Sequence, residues 1–268
     1  MSDQPQETIR TKIWREVAEP DNPFAAAQCF CSGYDVYGDM LGKASWIEYL
    51  YLLFRLERPV AWQAKVLEGL AIALANPGPR DQSVHAAMSG GVGGSTHASC
   101  LMAALAVGAG QYAGAREVFN AMDYWEVCAT DLGRWQDRLR NLPAQERADI
   151  WVPLEHPPGF DPHGASCTTP VRQTLDYLAD LSEGVALRWL RENRSALEAA
   201  ADSPLWLPGV AAAALVDLEF TPDQAEMLYL LLRLPGAAVH ALEQEQHGYK
   251  KFPFFHNAIH LTNDPGPR

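Results

Sequence analysis

The chain has 268 residues, 48% hydrophobic and 20% charged, with 21 Lys+Arg against 33 Asp+Glu. That length supports one large domain or two unequal ones, with room for a sizeable core. The formal charge of −12 argues against a nucleic-acid partner, because phosphate binding needs a basic surface.

No apolar run approaches the roughly 18 residues that span a bilayer. The opening MSDQPQETIRTKIW has no apolar stretch of signal type. A cytoplasmic location with no membrane partner is the expectation. The five cysteines, Cys29, Cys31, Cys100, Cys128 and Cys167, show no framework spacing and read as reduced thiols. Cys29 and Cys31 form a CxC pair, but no second Cys/His pair lies nearby at zinc spacing, so buried small residues are expected.

In chain order, the first forty residues look irregular, punctuated by Pro20, Pro23 and a Gly33-Tyr34-Asp35 step. SWIEYLYLLFRLE reads as a helix, apolar on nearly every side and therefore buried, stopped by Pro59. AWQAKVLEGLAIALA restarts as a helix and ends at Asn76-Pro77-Gly78-Pro79, since Pro77 and Pro79 cannot sit in a helix interior. A hydrophobic segment from about Ser83 to Val107 is interrupted by SGGVGGST. A phosphate loop would need Lys before its Ser/Thr, whereas Gly94 precedes Ser95, so close helix packing is the better reading. The stretch from Gly114 to Ser203 is more charged and holds the loop EHPPGFDPHGASCTTP, suggesting a smaller helical subdomain. VAAAALVDLEF returns to helix. Thr221-Pro222-Asp223-Gln224 then forms a capping box with Pro at the first helical position, opening AEMLYLLLRL. The tail HLTNDPGPR reads as loose.

Few residues carry chemistry by pattern alone. The histidines are His85, His97, His156, His163, His240, His247, His256 and His260. His256 and His260 could share a helical face, but no HExxH accompanies them and no metal is expected. Arg233, inside an apolar helix, needs an anion, either a ligand carboxylate or a buried protein Asp or Glu. Lys250-Lys251 offers a second anion site or two solvated lysines. Asp217 and Glu219 read equally as an acid/base pair or as a solvated helix end.

The succession of segments resembles the citrate synthase superfamily, most nearly the citryl-CoA lyase-like module at the C-terminal end of ATP-citrate lyase. The residues are TKIW, GYDVYGDMLGKASWIEYLYLLFRLERP, NPGPRDQSVHAAM, GQYAGAREVF, HPPGFDPHG, LPGVAAAALVDLEFTPDQAEMLYLLLRLPGAAVHALEQ and GYKKFP. The resemblance implies an all-α fold with a large helical domain (1–113 and 204–268) and a small one (114–203). It also implies an interdomain cleft and a homodimer. The family's chemistry makes or breaks a carbon–carbon bond through an acyl-CoA enolate, using a base, an enol-stabilising His and a keto-polarising His. No bound cofactor is implied, and a CoA thioester would be a substrate.

Residue by residue, those three groups are replaced. The enol-stabilising His falls on Pro77, the keto-polarising His on Tyr112 and the base on Pro208. Proline has no ionisable group and no donor. The small-domain His-Arg falls on Pro162-His163, and Arg172 keeps a later arginine. Arg233 aligns with a carboxylate-binding arginine and Lys251 with one reached from the partner subunit. His85 and Asp217 match a His and an Asp of the lyase branch.

Two functions follow. One is an enzyme of altered chemistry that binds an acidic carboxylate or acyl-CoA-type ligand through Arg233, Lys251 and Arg172. Its acid/base candidates are Tyr112, His85, Asp81 and His163. The other is a catalytically inactive paralogue acting as an accessory or regulatory subunit. Convergence of these polar groups in one water-poor site favours the first, and scattered solvent-facing positions favour the second.

Overall fold

A computed structural model describes residues 10–142 and 155–252. His256, His260, the FPFF run beyond Phe252 and the expected loose tail lie outside them. The N-terminal segment, expected to be irregular, forms a three-stranded antiparallel sheet: β1 (Arg15–Ala18), β2 (Ala26–Cys31) and β3 (Tyr34–Asp35), in that order. Every residue of β1 is exposed, so no alternation of apolar and polar residues marks it in the sequence. In β2, Cys29 and Cys31 share one face and are buried, and all five cysteines are free and buried. Ser32 and Gly33 turn the chain into β3 with φ of 48° and 87°. Those values belong to a type I′ hairpin, where glycine adopts positive φ without strain.

Helix α1 (Trp46–Arg55) starts at a capping box: Glu48 N donates to Ser45 Oγ at 3.1 Å and Ser45 N to Glu48 Oε2 at 2.7 Å. It is not buried all round. Leu50, Tyr51 and Leu52 face the core, while Trp46 is 67% exposed. Helix α2 (Ala61–Ala75) ends at the proline turn. Helices α3 (Gln82–Val92) and α4 (His97–Gly108) flank the glycine-rich break. A Cβ on Gly91 would collide with the Ala241 carbonyl, and one on Gly90 would lie 3.0 Å from Cys100 Sγ. The glycines therefore serve close helix packing.

Then come α5 (Ala115–Cys128), α6 (Leu132–Arg140), α7 (Thr169–Leu181), α8 (Ala186–Ala201) and the almost wholly buried α9 (Leu207–Asp217). Helix α10 (Pro222–His247) opens on the expected capping box, with Thr221 N to Gln224 Oε1 at 3.0 Å and Gln224 N to Thr221 Oγ1 at 3.3 Å. It runs on through Pro235. That continuity corrects the expectation of no span-length apolar segment, because α10 reaches it by length and composition. Its Ala225, Leu228, Tyr229, Leu232, Ala237 and Ala241 are nevertheless packed in protein cores.

Packing groups the chain into two compact units, Met1–Leu74 with Ala109–Leu232 and Ala75–Gly108 with Arg233–Arg268. The first is built around residues such as Leu67, Leu70, Leu178, Leu187 and Leu215. A small cluster of Cys31, Met40 and Leu52 lies under its sheet residues. The second is built around Val84, Ala87, Met88, Cys100 and Ala237. The large and small domains implied by the resemblance are a different partition of the chain. Among the described residues, the architecture is all-α apart from three short strands.

Candidate functional site

In the first unit, the turn before α5 carries Tyr112, 39% exposed. Its ring stacks on that of His156, with centroids 5.2 Å apart and planes at 24°. Its hydroxyl donates to Glu155 Oε2 at 3.4 Å. Beneath it, His156 is 4% exposed, and its Nε2 lies 3.1 Å from each carboxylate oxygen of the fully buried Glu117. Glu117 sits in the first turn of α5, where the helix dipole favours a negative charge. Gly159 N donates to Glu117 Oε1 at 2.6 Å. His156 Nδ1, also buried, has no hydrogen-bond partner among the described residues.

The loop that brings His156 there is pinned to the start of α9. Trp206 N donates to Gly159 O and Asp161 N to Pro204 O, each at 2.9 Å. Gly159 has φ of +87°, and a Cβ there would fall 2.9 Å from Gly209 Cα. Only glycine meets both demands. Burial pushes the Glu117 carboxyl above its ordinary value of 4.5, while the His156 ring and the Gly159 N–H hold it down. Pro208, at the position the resemblance gives to the base, is buried in the first turn of α9.

The remaining candidates of this unit stand apart from that pair. His163 is exposed, and its backbone N donates to Asp161 Oδ1 at 2.9 Å. Arg172, also exposed, donates to Cys167 O at 2.9 Å and Thr169 Oγ1 at 3.1 Å. It lines a cavity of about 410 Å³ together with Cys167, Arg194 and Glu198. Arg194 Nη1 reaches both oxygens of Glu198, at 2.8 and 2.7 Å, and Glu198 accepts Leu205 N at 3.1 Å. Asp217 is no solvated helix end. Buried in α9, it accepts Ser182 Oγ at 2.7 Å, Ala186 N at 2.7 Å and Leu187 N at 3.1 Å. Glu219, by contrast, is exposed and paired with Arg55.

The second unit holds Asp81, His85, Arg233 and Lys251. Asp81 caps α3, accepting Ser83 N at 2.9 Å and Val84 N at 3.3 Å. Its other oxygen is bonded to Arg233, and both side chains are nearly buried. Of the two anions open to Arg233 in the sequence, the structure supplies a protein carboxylate. His85 is half-buried, edge-on to Phe252 at 5.1 Å. Lys251 is exposed in a short turn of 3₁₀-helix, and Pro77 is exposed in its turn. The described residues include no group of three or more His, Cys, Asp and Glu placed to hold a metal.

Sequence reasoning missed Glu117 and His156 as site residues. They are 39 positions apart, and no spacing rule links a helix-start Glu to a His in a proline-rich loop. The local signal was the density of Pro and Gly after His156, which marks a loop held to one path.

No family profile and no curated protein sequence matches the chain. Solved structures do. Citryl-CoA lyase from Hydrogenobacter thermophilus matches with a TM-score of 0.72 at 16% identity, covering 98% of this chain and 97% of that one. ATP citrate lyase from Methanothrix soehngenii, in complex with citrate and coenzyme A, matches at 0.70 and 16% identity, covering 97% of this chain and 43% of that one. ATP citrate lyase from Methanosaeta concilii, in complex with (3S)-citryl-CoA, matches at 0.68 and 14%, covering 91% and 40%. The chain has the citryl-CoA lyase fold over nearly its whole length.

Proposed function

We propose that the protein is a cytoplasmic, homodimeric member of the citryl-CoA lyase-like scaffold that binds a small acidic carboxylate or an acyl-CoA and acts on it with altered chemistry. The observation that carries this reading is Tyr112. It stands where the resemblance puts the keto-polarising His, partly exposed and stacked on the buried His156–Glu117 pair. A phenol over an imidazole–carboxylate pair provides donors and a proton-holding group at one place. Enolate formation by the family's route has no base here, because Pro208 cannot ionise. The cavity beside Arg172 and Arg194 supports an anionic ligand, since guanidinium groups bind carboxylate and phosphate in planar pairs.

The second reading, an inactive accessory paralogue, is favoured by Arg233. Its bond to Asp81 removes the need for a ligand anion there, and His163, Arg172 and Lys251 face solvent.

Calorimetric titration with CoA, acetyl-CoA, citrate and oxaloacetate tests the ligand, with an Arg172→Ala variant alongside. At least one compound should bind, and the variant should bind it about tenfold or more weakly, the 1.4 kcal/mol scale of one lost charged contact. Silence from all four compounds with a folded dimer would leave the accessory reading in possession. Turnover of a bound compound then separates enzyme from binding module.

A further inference from the structure

His156 is held in one orientation with one nitrogen spoken for. Its Nε2 is equidistant, at 3.1 Å, from the two oxygens of Glu117. An N–H aimed between the oxygens of an ionised carboxylate gives this geometry, and Gly159 N–H donating to Oε1 suits the same charge state. An N–H on Nε2 in this position leaves Nδ1 of the uncharged ring as an acceptor. That nitrogen is buried without a partner among the described residues, an arrangement that costs about 1–3 kcal/mol unless something fills it.

Resting on the carboxylate reading above, we infer that His156 Nδ1 is a ligand contact that takes up a proton when a carboxylate binds. The imidazolium so formed bridges the Glu117 carboxylate and the ligand carboxylate. The balance is simple: one proton from solvent forms the Nδ1–H bond, no ligand bond breaks, and Glu117 keeps its charge. An imidazolium between two carboxylates gains a charge-assisted hydrogen bond on each side. Among the described residues, the other groups facing the pair are Tyr112 over the ring, Glu155 on the Tyr112 hydroxyl, and Asp161, whose charge acts on Glu117. Glu117 is a positioning residue, and His156 is the contact.

Two measurements on the full chain test this. Long-range ¹H–¹⁵N NMR of histidine-labelled protein reads the His156 tautomer, assigned by the peaks lost in His156→Gln. The proton should be on Nε2 in the free protein, and added acetate should move the Nδ1 signal toward the protonated position. An Nδ1–H tautomer, or an Nδ1 signal indifferent to saturating acetate, overturns the inference. Calorimetry with citrate in buffers of different ionisation enthalpy should show uptake of about one proton. Binding should weaken as pH rises, and His156→Gln should lose both the uptake and the pH dependence. Binding with the same uptake in both proteins overturns the inference and leaves the ligand reading intact. Failure of all four compounds to bind sinks that reading instead, and the acetate titration then decides about His156.

Discussion

Tyr124 carries a buried hydroxyl with no hydrogen-bond partner among the described residues. The Arg138 guanidinium lies over its ring at 4.5 Å. Burial pushes its ionisation from 10.0 to about 12 against the pull of Arg138. Because the folded value exceeds the unfolded one, the associated stability is present below pH 10 and is lost as pH rises through 12. The shift corresponds to roughly 2.7 kcal/mol, trimmed to about 2 kcal/mol by solvent screening. Tyr124→Phe should match or exceed the wild type at pH 7, since it removes an unsatisfied hydroxyl. It should also lose less stability between pH 10 and 12, read by urea unfolding at each pH. A variant as alkali-sensitive as the wild type would put the alkaline loss elsewhere. At this scale the sequence was a partial guide. Arg233 announced that an anion must lie near it, because a buried guanidinium is costly alone. Which anion depended on Asp81, 152 positions away.

Asp217 shows how one element sets the start of another. From α9 it accepts the backbone N–H groups of Ala186 and Leu187. These are donors at the start of α8, whose own N-cap residue, Val185, has no side-chain acceptor. Asp217→Ala should cost about 3 kcal/mol, because three donors, Ser182 Oγ included, lose their acceptor in a dry site. Asp217→Asn should cost less, since it keeps one oxygen. Equal midpoints in urea for Asp217→Ala and wild type would mean that α8 is capped by something else. Helices of this kind were legible where local rules suffice: α2 has the bounds its sequence suggests, and the Thr221–Gln224 box opens α10. The sheet was not legible. β1 is exposed on both faces, so it lacks the alternation that burial of one face imprints on a strand. Helix α10 continues through Pro235, because a helix held by its neighbours tolerates one lost backbone bond.

For the whole molecule, the apolar residues left outside matter most. Met227, Leu231, Val239 and Leu242 are exposed along α10, and Met102 and Val107 on α4. Exposed apolar side chains on a helix offer area that a partner could bury. We expect them to be covered by a second copy, as the resemblance implies. Sedimentation velocity should find a dimer. A Leu231→Glu, Val239→Glu double variant should sediment as a monomer with unchanged helical circular dichroism. A wild-type monomer at tens of micromolar would remove the homodimer from the proposal. The same scale divides what each source of information determined. Helical periodicity and caps, local features summed along the chain, were enough to place most of the helices, while the all-α class and the citryl-CoA lyase likeness came with the resemblance of its succession of segments. The resemblance further implies that Pro77 and Pro208 stand at two of the family's catalytic positions. Only the tertiary structure brought Glu117, His156 and Tyr112 together and spent Arg233 on Asp81. Such pairings depend on where the fold brings distant segments, because in the dry interior a polar group left without a partner is costly.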